Sequence, residues 1–376
     1  MNRKKIVIAP DSFKESLSSI EAAKAIREGL SKSIRNCDFE LIPMADGGEG
    51  TCDVIVEAKN GEMVYVTIND PLFNKIKGRF GYIEDEKLAV IEVADGCGLH
   101  LVPKEKRNPG ITTTFGVGEL IKAALDKGAR NFVIGLGGSS TNDAGFGMLQ
   151  ALGVLGIDKN SNEIKSGGLE LANLKDINFD NLDTRLKECR IRVACDVNNP
   201  LVGKLGASRM FASQKGATSE MVEMLEKALT NYGQLIEKIK NINIKDMKKA
   251  GAAGGLGSAF ILLNAKLENG IDMVLEYTNF EERIKNADYI FTGEGSIDAQ
   301  TKYGKTISGI AKLGKKYNIP IIALGGRVTN DYRELYDIGV TSVFPIIDEP
   351  KNIDKALKDG YESLIKVSEN IGRIIK

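Results

Sequence analysis

The 376-residue chain carries 51 Lys and Arg against 51 Asp and Glu, a formal net charge of zero that speaks against a nucleic-acid-binding face or an acidic interaction tail. Its length is enough for two domains with substantial cores, and no apolar run approaches the ~20 residues that a membrane helix requires. Cys37, Cys52, Cys97, Cys189 and Cys195 are scattered and never spaced as C-x-x-C, which excludes a zinc pattern or disulfide framework and fits a reducing, cytoplasmic compartment with small-molecule partners.

In chain order, the basic start Arg3-Lys4-Lys5 leads into an apolar run that stops at Pro10-Asp11, too short for a signal peptide, and predicts a first strand over Lys5 to Pro10. Ser18 and Glu21 form a capping-box pattern, and Ile20, Ala23, Ile26, Leu30 and Ile34 have the spacing of an amphipathic helix. A second strand, Phe39 to Met44, ends in Ala45-Asp46-Gly47-Gly48-Glu49-Gly50, with a helix over Thr51 to Ala58. Both strands deliver an aspartate-bearing loop at the carboxyl end, where ligands sit in open parallel sheets.

The texture then changes. Met63 to Ile68, Gly78 to Glu84 and Leu88 to Val93 read as strands separated by turns. A helical pattern begins at Gly116 and a strand covers Asn131 to Ile134. Another strand, Ile191 to Ala194, is followed by Cys195-Asp196-Val197, and Ser219 to Ile239 is a long amphipathic helix whose apolar stripe reads as core. Gly251 to Gly257 leads into a helix ending near Leu262. The earlier rhythm resumes with strand Asp288 to Phe291 and loop Thr292 to Asp298, strand Ile319 to Ala323 with Gly325-Gly326-Arg327, strand Ser342 to Ile347, and a helix from Asn352 to Ile371.

The simplest organisation is a discontinuous parallel α/β domain, residues 1–60 and 250–376, interrupted by an α/β insert with a mixed sheet over residues 61–249. A cleft between the two is then the default ligand site. Within the insert, Val133-Ile134-Gly135-Leu136-Gly137-Gly138-Ser139-Ser140 passes through Thr141-Asn142-Asp143 into a helical stretch. Such a strand-to-helix junction is a natural anion seat, because glycines admit a ligand to the backbone and the first helical amides are unpaired. Phosphate is the expected anion, although Ser140 breaks the G-x-G-x-x-G spacing.

Two phosphotransferase signatures are missing. Gly304-Lys305-Thr306 ends like a Walker A motif, but Ala299 stands where its first glycine belongs, and the only histidine, His100, is followed by Leu101-Val102 rather than Arg-Asp. A single histidine also argues against a Ser-His-Asp triad.

A series of ordered blocks nevertheless resembles the bacterial type-1 glycerate kinases: Ala9-Pro10-Asp11-Ser12-Phe13-Lys14, Met44-Ala45-Asp46-Gly47-Gly48-Glu49-Gly50-Thr51, Gly135 to Ser139 with Thr141-Asn142-Asp143, Ala194-Cys195-Asp196-Val197, Gln214-Lys215-Gly216-Ala217, and Thr292-Gly293-Glu294-Gly295 with Asp298. The chain departs from the family pattern at Ser296, at Ala212-Ser213 and at Phe73-Asn74. The resemblance implies ATP-dependent phosphorylation of glycerate, usually to 2-phosphoglycerate, with Mg2+, on a flavodoxin-like domain interrupted by a second α/β domain.

Phosphoryl transfer needs in-line positioning, cations on the phosphate oxygens and a carboxylate near the accepting hydroxyl. On the resemblance, Gly137, Gly138, Ser139, Ser140, Asn142, Asp143 and Lys215 are expected to bind ATP, and Asp11, Ser12, Lys14 and Asp298 the acceptor. Asp46 and Asp298 are the expected Mg2+ ligands, and Asp196, Asp46 and Lys14 the catalytic set, with Asp196 chosen as base over Asp46 and Asp298. The structural alternatives are a solvated surface lysine for Lys14, a helix cap or turn aspartate for Asp46, and close packing for Gly254, Gly255 and Gly257. The competing readings are a kinase of another small hydroxy acid or polyol, and a two-domain small-molecule binding protein.

Overall fold

The structure, a computed structural model, describes residues 3–303 and 305–376. Among them the strands are, in chain order, β1 (Lys4–Ile8), β2 (Cys37–Leu41), β3 (Glu62–Asn69), β4 (Lys75–Ile83), β5 (Leu88–Glu92), β6 (Asn131–Gly135), β7 (Leu155–Ile157), β8 (Asp176–Asn178), β9 (Arg190–Ala194), β10 (Lys266–Glu268), β11 (Tyr289–Ile297), β12 (Ile321–Val328) and β13 (Ser342–Pro345). They fall into two compact units.

The first unit comprises the N-terminal segment through Asp46, residues 53–59 and residues 269–376. Its sheet is wholly parallel in the order β13-β12-β11-β1-β2. In the unit's own strand order this is the flavodoxin-like arrangement, whose direction of winding reverses between β1 and β11. Successive residues of β1 and the one after it point to opposite faces: Val7 and Ala9 join the core beneath helices Gly270–Tyr277 and Thr306–Tyr317, while Ile6 and Ile8 join the core with Ile26, Leu30 and Leu364. Helix Ser19–Ser31 starts where its cap is written: the Ser18 hydroxyl accepts from the Glu21 amide at 3.2 Å and the Glu21 carboxylate accepts from the Ser18 amide at 2.9 Å. Ser18→Ala is expected to cost about 1 kcal/mol in denaturant unfolding; an unchanged midpoint would show that packing alone holds this end.

The second unit comprises Gly47–Cys52 and Asn60–Glu268. Its six-stranded sheet runs β10-β9-β6-β5-β4-β3, parallel from β10 to β5 and antiparallel from β5 to β3, with β7 and β8 forming a separate antiparallel pair. β5 is buried at every position, as a strand covered on both faces must be, whereas β3 alternates at the edge.

Three expectations change. Residues 250–268, expected with the parallel-sheet domain, belong to the second unit, because β10 pairs with β9 and Ala250, Ala252, Leu256, Ala259 and Phe260 enter that unit's core, and Gly47–Cys52 and Asn60, expected within residues 1–60 of the first, belong there too. The loops expected after Phe291 and Ala323 are largely strand: pairing continues from Gly293↔Leu324 to Ile297↔Val328, so glycines that signalled turns are held in a ladder. The single C-terminal helix is two, Ile353–Lys358 and Gly360–Ile375, separated where Asp359 leaves helical geometry.

Candidate functional site

Each unit gathers one set of the predicted residues at the carboxyl ends of its parallel strands. In the first unit, Asp11 lies just past β1 at the reversal point, the position where doubly wound sheets bind ligands. Its amide donates to the Gly293 carbonyl on β11 at 2.8 Å. One carboxylate oxygen accepts from the Ser12 amide at 2.6 Å and the other from the Thr306 hydroxyl at 2.5 Å. Burial, reinforced by the charge of Asp46, pushes this carboxyl up to about 7, against the pull of those two hydrogen bonds.

Glu294 sits beside it within β11, buried, with its Oε1 accepting from the Thr301 hydroxyl at 2.6 Å. Burial raises its pKa, with Asp46 and Asp298 adding to the effect and Thr301 and Lys305 opposing it. Asp46 is half-buried beyond β2, Ser12 is half-buried and Lys14 is exposed on the turn after Phe13. Asp298 caps the short helix Ala299–Lys302 through its Oδ1, which accepts from the Gln300 amide at 2.8 Å. Asp11, Ser12, Lys14, Asp46 and Asp298 therefore share one end of one sheet.

Glu294, Thr301 and Thr306 are the members that sequence reasoning missed. In the sequence Glu294 reads as one residue of the loop Thr292 to Asp298 with no role of its own, and Thr306 only as the end of a failed Walker A motif.

The fit of this set to Mg2+ can be tested on its chemistry. Among the described residues no three carboxylate, imidazole or thiolate groups stand close enough to cage a metal. Mg2+ is ordinarily held by one or two carboxylates together with substrate phosphates, and crowded oxygen donors that raise one another's pKa are relieved by a cation. The residues fit an ion of that kind. A cavity of about 520 Å3 opens elsewhere in this unit, lined by Leu41, Val54, Lys59, Tyr277 and Arg283 among others, and none of the four carboxylates lines it.

In the second unit, Gly135 ends β6 and packs against the loop of Gly47 and Gly48. A Cβ on Gly135 would lie 2.6 Å from the Gly47 carbonyl oxygen, and one on Gly137 would lie 3.0 Å from the Gly48 Cα. These glycines thus serve close approach between two loops, and Asp46 is the residue immediately before Gly47.

The sequence placed an anion seat at the start of the helix that follows, Phe146–Ala151. The structure fills that seat with the protein's own Asp143. Its carboxylate accepts from the amides of Thr114 (2.8 Å), Gly145 (3.1 Å) and Gly147 (3.3 Å) and from the Thr114 hydroxyl (2.9 Å), while the Met148 amide donates to the Thr114 hydroxyl. Complete burial raises the pKa of Asp143 although these bonds draw it down. An external phosphate therefore has no claim on those amides.

The loop's other groups divide in the same way. Ser140 donates both its amide (2.8 Å) and its hydroxyl (2.9 Å) to the Cys97 carbonyl, and Asn142 donates to the Ser208 hydroxyl at 3.0 Å. Lys215 is buried, its ammonium donating to the Ser139 hydroxyl oxygen at 2.8 Å and to the Thr141 carbonyl at 2.7 Å. Gly254 supports the loop from behind: its φ is +71° and a Cβ would meet the Thr141 carbonyl oxygen at 1.9 Å, so its role is close packing. Among the described residues, no protein group accepts a hydrogen bond from the amides of Gly137, Gly138 or Ser139. Asp196 is exposed just past β9, at the same end of the sheet.

Comparison with known proteins agrees over the full length. The family model described as the glycerate kinase family matches residues 6–376. A protein of Haemophilus influenzae named glycerate kinase is 47% identical, covering 99% of this chain and 98% of its own. A protein of Escherichia coli named glycerate 2-kinase is 45% identical, with 98% and 97% covered. A crystal structure from Salmonella typhimurium LT2, provisionally described as glycerate kinase 2, superposes with a TM-score of 0.89 at 43% identity, covering 100% of this chain and 98% of that one.

Proposed function

The chain belongs to the glycerate kinase family, and on that premise we propose that it transfers the terminal phosphoryl group of ATP to a hydroxyl of glycerate, giving ADP and 2-phosphoglycerate. The observation that carries this reading is the family match across residues 6–376, a span that includes every residue of both clusters. The 2-phospho product is supported by the name of the E. coli relative, glycerate 2-kinase.

In this reading the amides of Gly137, Gly138 and Ser139 take phosphate oxygens of ATP. Ser140, Asn142, Asp143 and Lys215 hold the loop that presents them. Asp46 and Asp298 would hold Mg2+, which when bound neutralises charge on the transferred phosphoryl group. Asp11, Ser12 and Lys14 bind the acceptor, the ammonium of Lys14 pairing with the glycerate carboxylate. Asp196 accepts the hydroxyl proton. Its exposure suits that task, since a loose phosphoryl-transfer transition state needs the proton taken late and without a strong base.

Identification of the product by 31P and 13C NMR, after incubation with ATP, Mg2+ and each glycerate enantiomer, tests reaction, acceptor and regiochemistry together. 2-Phosphoglycerate is expected. 3-Phosphoglycerate would overturn the regiochemistry, and no turnover of either enantiomer would overturn the acceptor.

A further inference from the structure

Two adjacent serines in the glycine-serine loop have opposite hydrogen-bond polarity. The Ser140 hydroxyl spends its single hydrogen on the Cys97 carbonyl. The Ser139 hydroxyl instead receives a hydrogen bond from Lys215, and among the described residues nothing accepts its hydrogen. An ammonium has donors only, so while Lys215 is charged Ser139 cannot donate back to it. The same ammonium also grips the Thr141 carbonyl, fixing the backbone on the far side of Ser140.

We propose that Lys215 is a positioning residue that never touches the nucleotide: by occupying the Ser139 oxygen as a donor, it obliges the Ser139 hydroxyl to offer its hydrogen outward, beside the open amides of Gly137, Gly138 and Ser139, to a phosphate oxygen of ATP. This rests on the reading of that loop as the ATP phosphate seat. It differs from a direct lysine–phosphate contact, since Lys215 is only 3% exposed and two of its three hydrogens are committed to Ser139 and Thr141.

The arrangement carries its own pH limit. Burial pushes the Lys215 ammonium down to about 8, and the ionisable groups that face it, Cys97 and Asp143, act in the opposite direction. Cys97 is itself raised to about 12 by burial, and Asp143 is committed to the Thr114, Gly145 and Gly147 amides, so neither replaces Lys215 as a donor to Ser139. Once Lys215 loses its proton it has a lone pair, and the Ser139 hydroxyl can turn inward to donate to it. The outward donor is then lost.

The test is the dissociation constant of Mg-ATP by calorimetry on the full chain between pH 6.5 and 9.5, for wild type, Ser139→Ala, Lys215→Met and the double variant. Loss of one hydrogen bond to a charged oxygen is expected to weaken binding about tenfold in Ser139→Ala at pH 7. The wild-type to Ser139→Ala ratio, in which the nucleotide's own titration cancels, is expected to collapse towards one above pH 8. Lys215→Met removes both the ammonium and the lone pair that could draw the Ser139 hydroxyl inward, so its loss should not exceed that of Ser139→Ala and should not vary with pH, and the double variant should be no weaker than Ser139→Ala. Additive losses in the double variant, or a ratio constant with pH, would overturn the proposal. The pH series on wild type and Ser139→Ala decides the matter even if Lys215→Met fails to fold. If Ser139→Ala binds Mg-ATP like wild type at pH 7, the hydroxyl is no ligand and the proposal fails while the amide seat stands; if wild type itself does not bind Mg-ATP, the reading of the loop as the ATP seat fails.

Discussion

Asp143→Ala is expected to destabilise the protein by about 4 kcal/mol, read as a fall in the urea midpoint with little change in slope. The carboxylate is the common acceptor for the amides of Thr114, Gly145 and Gly147, all enclosed in the second unit. Removing it leaves buried donors unmatched at roughly 1–3 kcal/mol each, offset in part because burying the charge was itself unfavourable. Asp143→Asn keeps one acceptor oxygen and should lose about half as much. The Ala variant should also lose Mg-ATP binding, because the loop from Gly137 to Asn142 is anchored at this point. A loss of less than about 1 kcal/mol would mean that the loop is organised by packing alone.

Asp46→Asn is expected to lower turnover by about 10²- to 10⁴-fold while leaving the unfolding midpoint nearly unchanged or slightly raised. The slight gain follows from Asp46 acting as a like charge on buried Asp11 and Glu294. Asp196→Asn should lower turnover over the same range, but the two variants part on titration with Mg2+. A metal-ligand variant regains part of its rate as Mg2+ is raised, whereas a variant lacking the base does not. Rescue of Asp196→Asn in place of Asp46→Asn would exchange their roles, and near-normal turnover in either would remove it from the catalytic set.

The elements readable from the sequence were those whose signals are local. The Ser18–Glu21 cap, the period-3.6 stripe behind it and the continuous apolar run of β5 each lie within a few residues of the feature they specify. Where pairing is supplied by a distant strand, local signals misled. Gly293 and Gly325 look like turns, yet β11 and β12 hold them in register. Lys266–Glu268 is only three residues long and becomes a strand because β9 lies beside it, which is why the boundary of the second unit falls at Glu268 and not at Lys249.

The candidate site shows the same division. Strand-end aspartates were visible, because acidic residues between a strand and glycines stand out. Glu294 lies inside a strand, and its burial beside Asp11 depends on the order of β1 and β11 in the sheet. That Asp143 occupies the helix-start amides could not be read either, since its main partner Thr114 lies 29 residues away in the chain.

The pairing of β1 with β11 joins residues 283 apart, Ile6 with Tyr289 and Ile8 with Phe291. On a ribosome adding 5–20 residues per second, the strand made first waits roughly 15–60 s for its neighbour. Throughout that interval β1 and β2 have two apolar faces and no third strand, while residues 60–268 can complete the second unit's sheet. The nascent chain therefore acquires its interior portion as its first folded body, and the flavodoxin-like sheet closes only when the last quarter of the polypeptide emerges.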